Sequence, residues 1–227
     1  MLRFIALLLT ALLLASILPV LALRWATPPT SAVMLARTLA EDRQQAWEWV
    51  DIEHISTHVA LAVVAAEDQK FPQHFGFDLH AIRAAVEDNT RGKRLRGAST
   101  LTQQVARNLF LWQGRSYLRK GLEAWFTVLL ELCWPKQRIL EVYLNIAETG
   151  PQTFGMEAAA WRYFSRPAIA LTSEQAALLA AVLPNPRRLH AARPSPYVME
   201  RRDHILQQME LLGAAYLDGI LPATTGQ

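Results

Sequence analysis

Cysteine is almost absent from this sequence, and the patterns that mark several common protein classes are missing altogether. Cys133 is the single cysteine, which excludes a disulfide within the chain, and its apolar surroundings predict a buried thiol. Neither a zinc-finger spacing nor a glycine-rich phosphate loop occurs. Charged residues make up only 19% of the chain, and the formal net charge is +3. This mild basic excess favours an anionic substrate or a membrane surface over nucleic acid.

The sequence also lacks β-alternation of useful length and any internal repeat, whereas apolar residues at helical spacing are frequent. At 227 residues and 52% hydrophobic composition, the chain can bury a sizeable core. We therefore expect a membrane anchor over residues 1–26, followed by one all-α domain over residues 27–227.

The anchor is predicted from Phe4–Leu23, a run of twenty residues without a charge between Arg3 and Arg24. As a helix it would span roughly 30 Å, the thickness of the hydrocarbon core of a bilayer. A cleaved signal peptide is the alternative, but its apolar region is usually only about 7–15 residues long. Leu21-Ala22-Leu23 is also a poor cleavage site, so the sequence favours an uncleaved anchor.

The rest of the chain is organised around Ala60–Asp78. An apolar run ends there in two adjacent carboxylates, Glu67 and Asp68, and Phe71 and His74 follow closely. A carboxylate at the end of a buried helix loses hydration, which raises its pKa and suits it to accept a proton near neutral pH. The alternative is that Glu67 is a solvated residue that merely ends a core helix.

Further helices are predicted over Ala32–Trp49, over Ile55–Glu67 and from Asp78 onward. After that helix, the stretch from Asn89 to Gly97 carries four cations and two glycines. It is interpreted either as a mobile basic loop or as a solvated run of charge.

Gly97–Leu111 contains a helix start, because Thr100 and Gln103 fit a capping box. The amides and partial positive charge of a helix N-terminus suit phosphate oxygens, although such caps are common. In the next predicted helix, Arg119, Lys120 and Glu123 can share one face. They form either a helical salt bridge or a functional carboxylate held beside two cations.

Six blocks, taken together and in this order, resemble the peptidoglycan glycosyltransferases that polymerise lipid II, especially the monofunctional biosynthetic peptidoglycan transglycosylases. The blocks are EDQKFPQHFGFD (67–78), GASTLTQQVARNLFL (97–111), RKGLE (119–123), KQRILEVYLNIAE (136–148), FGMEAAAWRYF (154–164) and LTSEQAALLAAVLPNP (171–186). This resemblance implies a lysozyme-like, mostly helical fold whose two lobes flank a substrate cleft.

The resemblance also implies roles for individual residues. Glu67 would be the catalytic base and Glu123 the second essential carboxylate. Arg107, which stands where many relatives have Lys, would bind pyrophosphate together with Arg119 and Lys120. The predicted substrate-binding set is Asp68, Phe71, His74, Ser99, Thr100, Gln103, Gln104, Arg107, Asn108, Arg119 and Lys120.

By the same resemblance, the partners would be lipid II, a lipid-linked glycan chain and the membrane, with other cell-wall synthesis and division proteins as further candidates. No nucleic acid and no organic cofactor are expected. A divalent cation, Mg or Mn, is a candidate cofactor, with Glu123 as a candidate ligand. The predicted location is the bacterial inner membrane, single-pass, with the catalytic domain on the periplasmic side.

Two other functions are compatible with the composition. A lysozyme-like hydrolase or lytic transglycosylase could also be helical with a key glutamate, but would not need the three cations. A non-catalytic membrane-anchored scaffold is the second alternative, and the presence of both expected carboxylates argues against it.

Overall fold

The fold, taken from a computed structural model, is helical with one very small sheet. The structure describes residues 2–90, 99–114 and 116–222. The elements are α1 (Leu2–Ala22), α2 (Ala32–Glu41), β1 (Ala46–Trp47), α3 (Thr57–Glu67), α4 (Leu79–Thr90), α5 (Leu101–Phe110), α6 (Tyr117–Cys133), α7 (Lys136–Ile146), β2 (Glu148–Gly150), β3 (Thr153–Phe154), α8 (Met156–Phe164), α9 (Ser173–Val182) and α10 (Pro196–Leu212), with short 3₁₀ turns at Ile52–His54, Ala168–Ala170 and Ala214–Leu217.

Helix α3 forms the centre of the core. Every residue from Val59 to Ala65 is buried, so the helix is apolar on all sides rather than on one face. It packs against α9 and α10, whereas α5 packs against α6 and α7. The helices therefore form two groups, and Glu67 at the end of α3 lies beside α5.

The predicted helix over Ala32–Trp49 was too long. Helix α2 ends at Glu41, and Asp42 follows with a left-handed φ of 47°. The polar residues after it have no apolar face to bury, and Ala46–Trp47 instead pairs in parallel with β3, which pairs antiparallel with β2. Strands of two or three residues are too short to show the alternation by which a strand is recognised.

The helix starts predicted at Ile55, Asp78 and Thr100 agree with the structure to within two residues, because local caps set where helices begin. Ser56, Thr100, Ser116, Thr172 and Ser195 each accept a backbone N–H at the start of a helix. Cys133, expected to be buried, is only half-buried. The predicted basic loop, with Arg91, Lys93, Arg94 and Arg96, lies outside the described residues.

Helix α1 contains a 20-residue stretch, Arg3–Ala22, with a mean hydropathy of 2.7 that is long and apolar enough to cross a membrane. Its C-terminal end is joined to the domain. Val20 is fully buried, and its carbonyl accepts a hydrogen bond from the Trp134 indole at 2.7 Å. The end of this helix is therefore held against the domain rather than on a free tether.

Arg138 in α7 extends this attachment. Its guanidinium donates to the carbonyls of Leu23 and Ala26, the second at 2.6 Å, and also to the carboxylate of Glu141. The other oxygen of Glu141 accepts the backbone N–H of Ile52 at 3.0 Å. One arginine thus joins the end of α1 to the chain leading into α3.

We expect Arg138→Ala to lower the free energy of unfolding by about 1–3 kcal/mol, because it removes charged donors from two carbonyls and a carboxylate. Thermal unfolding in detergent micelles would measure this loss. The exposed Arg193→Ala is the matched control and should leave the melting temperature unchanged. Equal melting temperatures for the two variants would contradict a stabilising role for Arg138.

Candidate active site

Glu67 is the last residue of α3 and lies where three other helices meet. Its Oε2 accepts a hydrogen bond from Gln104 Nε2 of α5 at 2.9 Å. On the other side, Oε1 lies 3.7 Å from a terminal nitrogen of Arg201 in α10. The hydroxyl of Tyr143 in α7 donates to Gln104 Oε1 at 3.3 Å, which turns the amide so that its NH₂ faces Glu67.

The surroundings of Glu67 make it a stronger base than an ordinary carboxylate. Burial raises the pKa of Glu67 above its usual value, and the nearby Asp68 adds to the rise. The Gln104 hydrogen bond and the charges of Arg201 and Arg107 act in the opposite direction and only partly offset it. Burial also raises the pKa of Tyr143, helped by the charge of Glu67, so its hydroxyl stays a donor.

A cavity of about 470 Å³ lies next to this carboxylate, lined by residues of α5, α6 and α7 and by the segment that follows α9. Gln104 lines it and also bonds Glu67, so the base and the cavity adjoin. Two guanidinium groups, those of Arg107 and Arg119, face the same space with Asn108 and Glu148. An anionic group bound there would lie beside the base and two cations.

Glu67 itself lines a second, smaller cavity of about 230 Å³, together with Asp68, Lys70, Ser99 and Thr100. Glu67 therefore borders this cavity directly and adjoins the larger one through Gln104.

Glu123 is buried, with only 1% of its side chain exposed, and one of its oxygens accepts from Arg119 at 2.7 Å. Its other oxygen accepts from the ammonium group of Lys120, whose side chain is half-exposed. The three predicted residues are thus brought together, and Glu123 fixes both cations in place.

These contacts also bear on a metal. Both oxygens of Glu123 are already bonded to cationic groups, and the described residues contain no cluster of three or more His, Cys, Asp or Glu side chains that could hold a metal ion. The residues around Glu123 therefore do not fit a metal site.

Several predicted substrate-binding residues form hydrogen bonds with other groups of the protein. The Leu101 amide donates to Asp68 at 2.9 Å, and Thr100 and Gln103 complete the capping box. The N-terminus of α5 was interpreted as a phosphate site. The Asp68 carboxylate and the Thr100 hydroxyl accept from two of these amides, those of Leu101 and Gln103, and phosphate binding at this helix end stays a prediction.

Two more predicted residues have structural contacts. Phe71 is fully buried beneath the ammonium group of Lys136, 4.5 Å from the ring centroid. His74 pairs through Nε2 with Asp68 at 2.9 Å. Direct contact of these residues with substrate stays a prediction.

Gly76 holds the first two blocks together. Its φ of +76° is favourable only for glycine, and a Cβ there would lie 2.7 Å from the Thr127 side chain. Its carbonyl accepts the Thr100 hydroxyl at 2.7 Å.

Three residues of the site were missed by sequence reasoning: Tyr143, Glu148 and Arg201. Each reaches the site through long-range packing, although Tyr143 and Glu148 lie inside the block of residues 136–148. Glu148 pairs with Arg37 at 3.2 Å, and burial raises its pKa.

The fold and site define a helical protein with a desolvated carboxylate beside a cavity lined by two arginines. The transglycosylase family model matches residues 33–210, and the chain belongs to this family. It is 55% identical to the biosynthetic peptidoglycan transglycosylase of Pseudomonas fluorescens over 88% of this chain and 85% of that protein. The proteins of the same name from Stutzerimonas stutzeri and Xanthomonas euvesicatoria are 54% and 52% identical, covering 98% and 90% of this chain and 96% and 86% of their own lengths.

The raised pKa of Glu67 has a consequence for stability. Because the folded-state pKa lies above the unfolded value, folding is favoured by the protonated form and loses stability as pH rises through the folded pKa. Glu67→Gln removes that loss. We expect the variant to melt higher than the wild type at about pH 8, by about 2–4 °C for each kcal/mol recovered.

Melting temperatures measured from about pH 4 to pH 8 would check this expectation. The advantage of Glu67→Gln should shrink toward acid pH, where the wild-type carboxyl is also neutral. The exposed Glu210→Gln serves as the control and should show no such trend. If Glu67→Gln melts below the wild type at alkaline pH, burial of the ionised Glu67 carboxylate does not lower the stability of the fold, and the expectation is contradicted.

Proposed function

We propose that this protein polymerises lipid II into linear glycan strands, forming β-1,4 bonds with release of polyprenyl pyrophosphate. Membership of the transglycosylase family and the names of the curated relatives support this activity. The observation that carries the proposal is the Glu67 carboxylate, desolvated and oriented by Gln104, beside a cavity lined by Arg107 and Arg119.

The chemistry needs one base and several cations. Glu67 takes the proton of the acceptor sugar's 4-hydroxyl as its oxygen forms a bond to the anomeric carbon of the donor. The bond from that carbon to the pyrophosphate oxygen breaks, and the electron pair leaves with the pyrophosphate. Attack opposite an α-linked leaving group inverts the configuration and gives the β-linkage.

Pyrophosphate is a good leaving group, so cationic stabilisation matters more than protonation. Arg107, Arg119 and Lys120 supply that charge, and Glu123 holds the last two in position. A divalent cation, Mg or Mn, stays a prediction, and no step depends on it.

Glycan cleavage is supported less well by the same geometry. A glycosidase needs a second carboxyl group free to act as acid, base or nucleophile, because its leaving group is a sugar alkoxide. Glu123 is buried and has both oxygens bonded to cations. It is suited to hold charge in place and not to exchange protons with a substrate.

We further propose that α1 anchors the enzyme in the bacterial inner membrane, with the catalytic domain on the periplasmic side. The apolar stretch Arg3–Ala22 supports the anchor. Exposed apolar residues of α6, the helix against which α1 packs, suit the same lipid environment; they are Leu118, Trp125 and Leu132. Association with other cell-wall synthesis and division proteins stays a prediction.

The decisive experiment supplies lipid II and, separately, finished glycan strands to the full-length protein in detergent. We expect polymer from lipid II and no fragments from the strands. Glu67→Gln should lower the polymerisation rate about 10²–10⁴-fold, the usual loss for a positioned base. Retention of more than about a tenth of the rate by folded Glu67→Gln would remove Glu67 from that role.

The pyrophosphate role of the cations is tested by Arg107→Ala and Lys120→Ala. Each should lower the polymerisation rate and weaken donor binding about 10- to 100-fold, because charge-assisted contacts to phosphate are lost in a partly dry cleft. Arg107→Lys keeps the charge and should be much milder.

Each variant needs two measurements, the polymerisation rate on lipid II and the melting temperature. The exposed Arg43→Ala is the control for a simple loss of positive charge and should change neither. If the cations only brace their helices, melting falls while the rate stays normal, and the pyrophosphate role is wrong.

A further inference from the structure

Arg201 lies in α10, beyond the six sequence blocks, and nothing in its local pattern indicates a part in the reaction. Helix α10 packs against both α3 and α9, and this packing brings Arg201 to the end of α3. About a quarter of its side chain is exposed. A terminal nitrogen of its guanidinium lies 3.7 Å from Oε1 of Glu67.

The two carboxylate oxygens of Glu67 have different partners. Oε2 accepts a hydrogen bond of 2.9 Å from Gln104. Oε1 faces Arg201 at 3.7 Å, too far for a hydrogen bond but close enough for strong attraction between the charges. Arg201 therefore stabilises the carboxylate without occupying the lone pairs that an acceptor hydroxyl would need.

The other polar groups around Glu67 cannot substitute for this attraction. Asp68, the next residue, repels the charge, Gln104 is neutral, and Tyr143 carries a hydroxyl that stays protonated. Arg107 helps, but it also faces the cavity where the anionic donor is proposed to bind. Once a pyrophosphate is paired with Arg107, Arg201 is the remaining cation among the described residues that opposes protonation of Glu67.

One nitrogen of the Arg201 guanidinium, the buried Nε, has no hydrogen-bond partner in the described part of the chain. A buried donor without a partner is costly, so its retention beside the base needs a reason. Attraction to the Glu67 carboxylate supplies one.

We propose that Arg201 is a positioning residue that keeps Glu67 ionised and turned toward the acceptor hydroxyl while the donor occupies the cationic cavity. The inference rests on the proposed function, since it assigns Arg201 a part in that same reaction. It does not make Arg201 a contact of the substrate.

The neighbouring residue provides a matched control. Arg202 lies on the same helix and pairs with Asp203, not with Glu67. Arg202→Gln removes the same charge one position away. A loss of net charge alone would act equally in both variants, whereas the proposal predicts an effect only at position 201.

The first measurement is the rate of lipid II polymerisation against pH for the wild type, Arg201→Gln, Arg201→Lys and Arg202→Gln. Arg201→Gln should shift the acid limb upward by about one pH unit, within the range that a nearby opposite charge produces. Its rate should recover toward wild type at alkaline pH, where Glu67 ionises without help. Arg201→Lys should restore most of the shift, and Arg202→Gln should show none.

A rate lowered equally at every pH, or an acid limb that does not move, would overturn the proposal in favour of simple packing. Should Arg201→Gln fold poorly, Arg201→Met keeps the length of the apolar stem and tests the same charge. Either variant alone is sufficient to test the proposal.

The second measurement is independent of turnover. The Glu67 carboxyl carbon of ¹³C-glutamate-labelled protein can be titrated by NMR, its signal identified by its loss in Glu67→Gln. Arg201→Gln should raise the measured pKa of Glu67 relative to wild type, and identical values would overturn the proposal. If the pKa of Glu67 differs between Arg201→Gln and the wild type as expected but the wild type makes no polymer, the proposed function is refuted. The interaction between Arg201 and Glu67 then still stands.

Discussion

The constraint on which the rest of the structure depends is the burial of α3 on all sides from Val59 to Ala65, just before the helix ends in a carboxylate. A helix covered on all sides can carry charge only at its ends, so Glu67 is the first place where the core meets polar groups. The cost of holding that charge is partly offset by Gln104, Arg107 and Arg201, from two helices of opposite groups. The raised pKa of Glu67 is thus a consequence of how the two helical groups meet.

The charged residues of the blocks divide into those that build the site and those that face it. Asp68 joins His74 to the Leu101 amide, and Glu123 holds Arg119 and Lys120. These carboxylates hold donors and cations in position. The two roles use the same residue types, so spacing in the sequence cannot separate them.

Local signals therefore predicted much of the fold but only part of the site. The capping box at Thr100, the helix that ends at Glu67 and the face shared by Arg119 and Glu123 depend on residues a few positions apart. The short sheet and the early end of α2 depend on pairing with distant residues. Arg201 reaches Glu67 through the packing of α10 on α3, which no local pattern encodes.

Helix α7 connects the end of the apolar helix α1 to the surroundings of Glu67. Arg138 near its start binds the carbonyls that follow α1, and Tyr143, about 8 Å further along the axis, orients Gln104 toward Glu67. Both contacts lie on one rigid helix whose residues are mostly buried. A tilt of the anchor relative to the domain would therefore strain the helix that positions the base's own hydrogen-bond partner. The end of α1 is thus joined to the domain by the same helix that orients Gln104 toward Glu67.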